Sequence, residues 1–202
     1  SSLTGMHLAG RRVAVVGYGP VGRGLANHAK AAGMSVEVVE RDPIRRLFAH
    51  YDGYPTPTLA DALRRVGVVA TATGVSGAIK VEDLAHARDR IVLVNAGHGG
   101  GEIDVAGIRR VAERVDHVAD QVVQYQLEAG PRVLVLGDGH PLNIVLNAGS
   151  PEPVLLHFAV LGLALERLAQ QPPPRSGEQL VAAEIESRAA VIALESLNLS
   201  GI

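Results

Sequence analysis

The feature that most constrains this chain is a glycine-spaced turn between two short apolar segments near its start. Residues 13–24 read Val-Ala-Val-Val-Gly-Tyr-Gly-Pro-Val-Gly-Arg-Gly, and the next apolar segment ends at Glu40. This order predicts a buried strand, a Gly-x-Gly-x-x-Gly turn, a helix, and a second strand that ends in an acid. The helix N-terminus would offer unpaired N–H groups to phosphate, and the acid would accept hydrogen bonds from a ribose. The pattern therefore predicts binding of a dinucleotide.

The three glycines of the turn have different predicted tasks. Gly17 permits the tight turn, Gly19 lets the backbone approach a pyrophosphate, and Gly22 allows the helix to pack closely on the strand. The competing interpretation is a glycine turn in an α/β domain that binds no ligand.

The choice of cofactor depends on the charge at Glu40. Because a carboxylate suits a free 2′-hydroxyl and repels a 2′-phosphate, NAD is favoured over NADP. Arg41 and Arg45 keep NADP open as the alternative, since a neighbouring arginine can accommodate a 2′-phosphate.

The composition suits a parallel sheet that is buried on both faces. The 202 residues are 47% hydrophobic but only 3% aromatic, so the core consists of Val, Leu, Ile and Ala. A net charge of −2 gives no reason to expect nucleic acid or an anionic membrane as a partner. The chain has no cysteine, which excludes disulfides and thiolate chemistry. With no signal peptide or long apolar segment, we expect a cytoplasmic location.

Apolar and amphipathic segments alternate through the first two-thirds of the chain. The apolar segments predict strands at about 12–17, 35–40, 67–71, 91–95 and 115–119. The amphipathic segments predict helices at about 20–32, 43–50, 58–65, 81–87 and 104–112. Gly33 is placed as a C-cap, and Asp42-Pro43 as an N-cap with proline at the first helical position. The predicted fold is α/β, a Rossmann-type doubly wound parallel sheet.

The pattern changes after residue 120. Residues 122–127 and 133–136 are typical of two strands around a turn, which predicts a C-terminal β-hairpin. An apolar helix at 152–170 and an amphipathic helix at 178–196 follow as a helical extension. Their apolar surfaces favour a homo-oligomer.

The sequence thus predicts three parts. They are an NAD-binding Rossmann domain at 1–170, a proline-rich linker at 171–177, and a C-terminal helix within 178–202 that packs on the domain or on a partner subunit.

Five blocks of the sequence resemble, in order, blocks of one enzyme family. They are the turn at 13–24, Glu40-Arg41-Asp42-Pro43-Ile44, Thr71-Ala72-Thr73-Gly74, Asn95-Ala96-Gly97-His98 with Glu102-Ile103-Asp104-Val105, and Leu142-Asn143 after Gly137-Asp138-Gly139. The family is that of S-adenosylhomocysteine hydrolase. Residues 4–10 also resemble the hinge helix that enters its NAD domain. The resemblance covers roughly residues 4–170 and, more loosely, 178–199.

The resemblance implies a tightly held NAD that oxidises the substrate transiently. The family withdraws hydride from the ribose 3′-hydroxyl of S-adenosylhomocysteine, which acidifies the 4′-proton. Homocysteine is then eliminated, water adds, and the ketone is reduced back. By position, the resemblance implies that Gly19, Gly22 and Gly24 bind the pyrophosphate and that Glu40 binds the adenosine ribose. It also implies that Ala96, Gly97 and His98 line the nicotinamide and that Asn143 binds its carboxamide.

The sequence also departs from the family pattern. No segment resembles the family's substrate domain, which supplies its proton-transfer residues. Arg45 stands where the family has Asn, Gly99 where it has an aromatic residue, and Ser150 where it has His.

Three functions therefore stay open at this point. The first is the NAD-binding domain or a compact paralogue of an S-adenosylhomocysteine hydrolase-like enzyme of one-carbon metabolism, with an adenosine-like small molecule as ligand. The second is a free-standing NAD-dependent oxidoreductase of a small alcohol or ketone in specialised metabolism. The third is a non-catalytic NAD-binding module.

His98 is the candidate catalytic residue, because a neutral imidazole beside the expected nicotinamide can act as a base. The predicted cofactor-binding residues are Gly17, Gly19, Pro20, Val21, Gly22, Arg23, Gly24, Glu40, Arg41, Arg45, Ala72, Thr73, Gly74, Ala96, Gly97, His98 and Asn143. Glu102 and Asp104 are interpreted as the cap and first turn of a helix rather than a catalytic carboxylate pair. Residues 99–101 are interpreted as a flexible turn, with a mobile lid as the alternative. No spacing predicts a metal site.

Overall fold

The structure of the protein is a computed structural model that describes residues 5, 7–128, 130–147, 151–171 and 177–196. By its internal contacts the chain forms two compact units, residues 1–148 and residues 149–202. The predicted boundaries at 170 and 178 stay predictions. Several predicted features lie outside the described residues: Thr4 and Met6 of the hinge-like start, Ser150, residues 172–176 of the linker, and residues 197–202.

A seven-stranded mixed sheet forms the centre of the first unit. Its strands are β1 (Arg12–Val16), β2 (Ser35–Val39), β3 (Val68–Thr71), β4 (Ile91–Asn95), β5 (Ala112–Ala119), β6 (Val122–Leu127) and β7 (Arg132–Leu136). They lie in the order β2-β1-β3-β4-β7-β6-β5. The first five in this order are parallel, whereas β6 and β5 are antiparallel to their neighbours. The predicted Rossmann-type sheet and the β6–β7 hairpin are confirmed.

Helices follow most of the strands. They are α1 (Pro20–Ala31), α2 (Pro43–Tyr51), α3 (Leu59–Arg65), α4 (Val105–Val111), α5 (Leu142–Val145), α6 (Pro151–Gln170) and α7 (Ala183–Ser196). Short 3₁₀ helices span Val81–His86 and Gly137–Gly139.

The core lies on both faces of the parallel strands. The last four residues of β1 are all buried, as are the last four of β2. Alternate side chains enter two separate clusters, one with Val16, Val69 and Leu93, the other with Val15, Val38 and Ala26. A strand buried on both faces needs a nearly continuous aliphatic segment, which is what the low aromatic content predicted.

Local capping explains the boundaries of the first two helices. The Asp42 carboxylate accepts a hydrogen bond of 2.8 Å from the Arg45 amide, so Asp42 caps α2 as predicted. Gly33 follows the cap residue of α1 with a φ of +80°. The amides of Gly33 and Met34 donate to the carbonyls of Lys30 and Ala29, which is the Schellman pattern.

The strand predicted at 115–119 does not continue the parallel sheet. It belongs to β5, which pairs antiparallel with β6 across a turn at Asp120 and Gln121. Two residues leave no room for the crossover of a dozen or more residues that a parallel connection needs.

Two predicted helices also differ from the structure. The segment predicted at 81–87 is a 3₁₀ helix, and the helix predicted at 178–196 begins at Ala183. In the 3₁₀ helix the Asp83 carboxylate accepts from the Lys80 amide over 2.9 Å.

The second unit contains α6 and α7, which pack against each other. Ile185 and Ala189 of α7 are buried, and an ion pair of 3.5 Å joins Arg188 to Glu166 of α6. Across the described part of the chain, none of the helices combines the length and hydropathy that crossing a bilayer requires.

Candidate functional site

The predicted site residues meet at the carboxyl edge of the sheet. From β1 the chain continues to β2 on one side, and it later returns to β3 on the other side. Open α/β sheets bind ligands in the crevice at such a switch point. Gly17, Glu40, Ala72 and Ala96 each follow directly on the end of β1, β2, β3 or β4. Four segments far apart in the sequence therefore begin at one edge of the sheet.

The glycine turn has two positions that the fold itself requires to be glycine. Gly17 has a φ of +98°, and a β-carbon there would lie 2.6 Å from the Ala72 carbonyl oxygen. A β-carbon on Gly22 would lie 2.0 Å from the carbonyl oxygen of Gly17. Gly19 is different, because its φ of −75° is ordinary and a β-carbon would meet only Arg45 Nη1, at 3.8 Å. The fold therefore gives no reason for a glycine at position 19.

Glu40 lies beside this turn and is held by three backbone amides. Its Oε2 accepts from Tyr18 over 2.7 Å, while Oε1 accepts from Arg41 over 2.7 Å and from Asp42 over 3.0 Å. A carboxylate has about four acceptor positions on its two oxygens. Oε2 therefore keeps capacity for one further donor.

A cleft of about 270 Å³ opens between these elements. Its lining residues are Val16, Gly17, Gly19, Val39, Glu40, Arg41, Asp42, Arg45, Leu59, Ala72, Thr73, Val75 and Ala78. The structure thus brings together seven of the predicted cofactor-binding residues.

The predicted cofactor-binding residues of α1 lie in two successive turns of the helix. Pro20, Val21 and Gly22 form its first turn, with Gly19 as N-cap, whereas Gly24 lies in the second turn. The guanidinium of Arg23 is engaged by Asp52, with Nε 3.0 Å from Oδ2. The cofactor contacts of these residues stay predictions.

Tyr18 is a residue of the turn that the sequence reasoning missed. Tyr18 is 4% exposed, and its hydroxyl donates to Asp52 Oδ2 over 2.6 Å. Asp52 caps the C-terminus of α2, so this bond joins the glycine turn to α2. Burial, and then donation to Asp52, raises the pKa of the Tyr18 phenol well above its ordinary value. Tyrosine within a Gly-Tyr-Gly turn is the only sequence signal.

Tyr18→Phe should lower the free energy of unfolding by about 1–2 kcal/mol near neutral pH, because it removes a buried hydrogen bond to a carboxylate. Since the folded-state pKa of Tyr18 is raised, its contribution is complete below about pH 10 and is lost as the pH rises above it. The variant should therefore lose less stability than wild type between about pH 8.5 and 10.5. Urea unfolding at both pH values measures this.

Tyr51→Phe is the matched control, because Tyr51 is 73% exposed. It should resemble wild type at both pH values. Equal alkaline losses in wild type and Tyr18→Phe would contradict the prediction.

Asn95 organises the loops at the end of β4. Its side chain is fully buried, and its Nδ2 donates to the carbonyls of Gly99 and Gly139 over 2.8 and 2.9 Å. Its Oδ1 accepts from the Gly97 amide over 2.8 Å. Asn95 therefore fixes the loop after β4 to the turn after β7.

Glu102 departs from its predicted role. Asp104 does cap α4, with Oδ1 2.8 Å from the Gly107 amide. Glu102 lies outside that helix and is fully buried. Its carboxylate accepts from the amides of Thr73 and Gly74, each over 2.9 Å, and from the Thr73 hydroxyl over 2.8 Å.

The residues predicted around the nicotinamide share this region. Ala96 is half-buried, Gly97 is buried, and His98 and Asn143 are exposed. A β-bridge between Asn95 and Pro141 brings the Asn143 segment beside the end of β4. In the described ranges, no three His, Asp or Glu side chains are grouped so that they could hold a metal ion.

Comparison with known proteins identifies the family. The family model of the S-adenosyl-L-homocysteine hydrolase NAD-binding domain matches residues 2–149. An adenosylhomocysteinase of Saccharolobus solfataricus is 39% identical over 168 residues, 83% of this chain and 40% of the relative. An adenosylhomocysteinase of Pyrobaculum aerophilum is 41% identical over 169 residues, 83% of this chain and 39% of that one.

A further relative carries a different name. An S-inosyl-L-homocysteine hydrolase of Methanopyrus kandleri is 33% identical over 199 residues, 97% of this chain and 47% of the relative. The chain thus spans less than half the length of the curated relatives it matches. The chain belongs to the S-adenosyl-L-homocysteine hydrolase family, within which it is the NAD-binding domain, and its cofactor is NAD.

Proposed function

We propose that NAD lies along the carboxyl edge of the sheet, with its pyrophosphate over Gly19 and the first turn of α1. The space in front of Gly19 is open, and α1 begins there without a side-chain cap on its first amides. Such a helix start attracts phosphate through its N–H groups and dipole. Arg45 Nη1 lies 3.8 Å from the β-carbon position of Gly19, which adds a positive charge for the pyrophosphate.

The observation that carries this proposal is the carboxylate of Glu40. Three backbone amides fix its orientation, and Oε2 keeps acceptor capacity toward the cleft. We assign that capacity to a hydroxyl of the adenosine ribose. A 2′-phosphate in the same place would meet the negative charge, so selectivity for NAD over NADP follows.

The nicotinamide half of NAD is assigned to the loops after β3, β4 and β7. Ala96, Gly97 and His98 would face the ring, and Asn143 would bind the carboxamide. Asn95 supports this assignment, since its buried side chain joins the loop after β4 to the turn after β7. His98 is exposed on that loop and would serve as a base near the reacting carbon.

As part of a longer enzyme, this domain would serve the reversible hydrolysis of an S-nucleosyl-L-homocysteine. The names of the relatives favour an adenosyl or an inosyl group as the nucleoside. When bound, NAD supplies a reversible hydride acceptor for the ribose 3′-hydroxyl. The domain binds and orients that acceptor, while His98 would exchange a proton beside it. A homo-oligomer and a cytoplasmic location remain predictions.

Calorimetric titration of the chain with NAD and NADP tests the proposed site. We expect NAD to bind at least about tenfold more tightly than NADP, because the Glu40 carboxylate would repel a 2′-phosphate. Equal affinities would overturn the ribose assignment, and absence of binding would overturn the site as a whole.

Glu40→Ala should weaken NAD binding by about 10- to 100-fold, because a hydrogen bond to a charged acceptor is lost. NADP binding should weaken less or improve, since the repulsive charge is also gone. Titration with both nucleotides gives the ratio. The matched control is Glu113→Ala, because Glu113 is exposed on β5, the edge strand opposite β2. An unchanged NAD-to-NADP ratio in Glu40→Ala would contradict the prediction.

A further inference from the structure

A buried carboxylate lies beneath the loop that follows β4. Glu102 is fully buried, and a β-carbon on Gly97 would lie only 1.8 Å from its Oε1. The carboxylate is therefore packed directly against the backbone of Gly97. Gly97 is assigned to the nicotinamide, so only the backbone of Gly97 would separate this carboxylate from the redox-active ring.

Three donors from the turn after β3 hold the carboxylate of Glu102. Oε2 accepts from the Thr73 amide and Oε1 from the Gly74 amide, so both oxygens act as acceptors. The Thr73 hydroxyl adds a third donor. Within the part of the chain that the structure describes, no ion pair joins Glu102 to a lysine, arginine or histidine. Only neutral dipoles balance its charge, so its field extends into the surrounding site.

We propose that Glu102 sets the preference of this domain for the oxidised cofactor. The nicotinamide ring of NAD⁺ carries a positive charge, which it loses when it accepts hydride and becomes NADH. A fixed negative charge in a dry site attracts the first form and leaves the second nearly unaffected. This inference rests on the proposed placement of the nicotinamide at Gly97.

Glu102 also positions the site, and the two roles are separable. Its three hydrogen bonds hold the turn after β3, while its contact with Gly97 supports the loop after β4. Loosening these loops would weaken NAD⁺ and NADH alike. Loss of the charge would weaken NAD⁺ alone, so the ratio of the two dissociation constants isolates the electrostatic role.

The test compares the dissociation constants of NAD⁺ and NADH in wild type and in Glu102→Gln. We expect the ratio of Kd for NAD⁺ to Kd for NADH to rise roughly 10- to 30-fold in the variant. ADP-ribose lacks the nicotinamide, so its Kd reports the general loosening of the site. Thermal unfolding shows whether the variant folds.

Glu37→Gln is the matched control. Glu37 is also a buried carboxylate, but it lies within β2 and pairs with Arg65 over 3.1 Å. The ratio of Kd for NAD⁺ to Kd for NADH in Glu37→Gln should equal that of wild type. A ratio within about twofold of wild type in folded Glu102→Gln would overturn the inference, and so would an equal shift in Glu37→Gln.

A second measurement needs only the wild-type protein. Salt screens exposed charges strongly and buried charges weakly. If Glu102 sets the preference, the ratio of the two constants should stay nearly constant between about 0.05 and 0.5 M NaCl. A ratio that rises steeply with salt would assign the preference to exposed groups and overturn the inference, whether or not Glu102→Gln folds. Failure of wild type to bind either nucleotide would instead refute the proposed function, before any variant is compared.

Discussion

Gly19→Val is expected to abolish measurable NAD binding while the domain stays folded. Gly19 has an extended backbone that any residue can adopt, with φ −75° and ψ −173°. A β-carbon there would contact nothing closer than Arg45 Nη1, at 3.8 Å. The valine side chain would instead fill the space that we assign to the pyrophosphate. Because the pyrophosphate could then no longer reach the backbone at Gly19 or the first amides of α1, the Kd for NAD should rise more than about 100-fold.

The measurement combines titration calorimetry with thermal unfolding. The unfolding midpoint without nucleotide should change by less than about 3 °C, because the added β-carbon overlaps no protein atom. Gly67→Val is the matched control, since its β-carbon would likewise meet only one arginine nitrogen, Arg88 Nη1, at 3.8 Å. Gly67 precedes β3 at the opposite edge of the sheet. Normal NAD affinity in Gly19→Val would show that the pyrophosphate does not lie there.

The first half of the site was predictable because its signals are local. Gly17, Gly19 and Gly22 are close in sequence, so their spacing alone encodes a strand, a turn and a helix start. Glu40 follows at the end of the next strand, and parallel neighbours must end at the same edge. Asp42 was recognisable as a cap because its partner, the Arg45 amide, is three residues away.

The second half was less predictable because its interactions are long-range. Glu102 bonds to Thr73, 29 residues earlier, and Tyr18 bonds to Asp52, 34 residues later. Next to Asp104, which does cap a helix, Glu102 looked like part of the same helix start. No pattern within a short segment distinguishes a buried acid with distant donors from an exposed one. The direction of β5 is instead a local matter, since the two-residue turn at Asp120 and Gln121 makes β5 antiparallel to β6.

Gly22→Ala should produce the largest loss of stability among single-methyl substitutions in this turn. The new β-carbon would lie 2.0 Å from the carbonyl oxygen and 2.9 Å from the carbonyl carbon of Gly17. Backbone atoms cannot rotate away as a side chain can, so α1 must move away from β1. We expect a loss of about 3 kcal/mol or more, and a midpoint lower by about 6–12 °C. Thermal and urea unfolding measure both quantities.

Gly24→Ala gives the control for this prediction, because it lies two residues later on the same helix. A β-carbon there would meet nothing within 4 Å. Alanine is a better helix former than glycine, so this variant should be neutral or more stable by up to about 1 kcal/mol. If Gly22→Ala lowers the free energy of unfolding and Gly24→Ala does not, helix propensity cannot explain the difference. Contact with the Gly17 carbonyl would then be the reason why position 22 requires glycine. Equal changes in stability in the two variants would mean that α1 does not lie this close to the end of β1. The amides of the first turn of α1 would then lie too far from the cleft to bind a pyrophosphate.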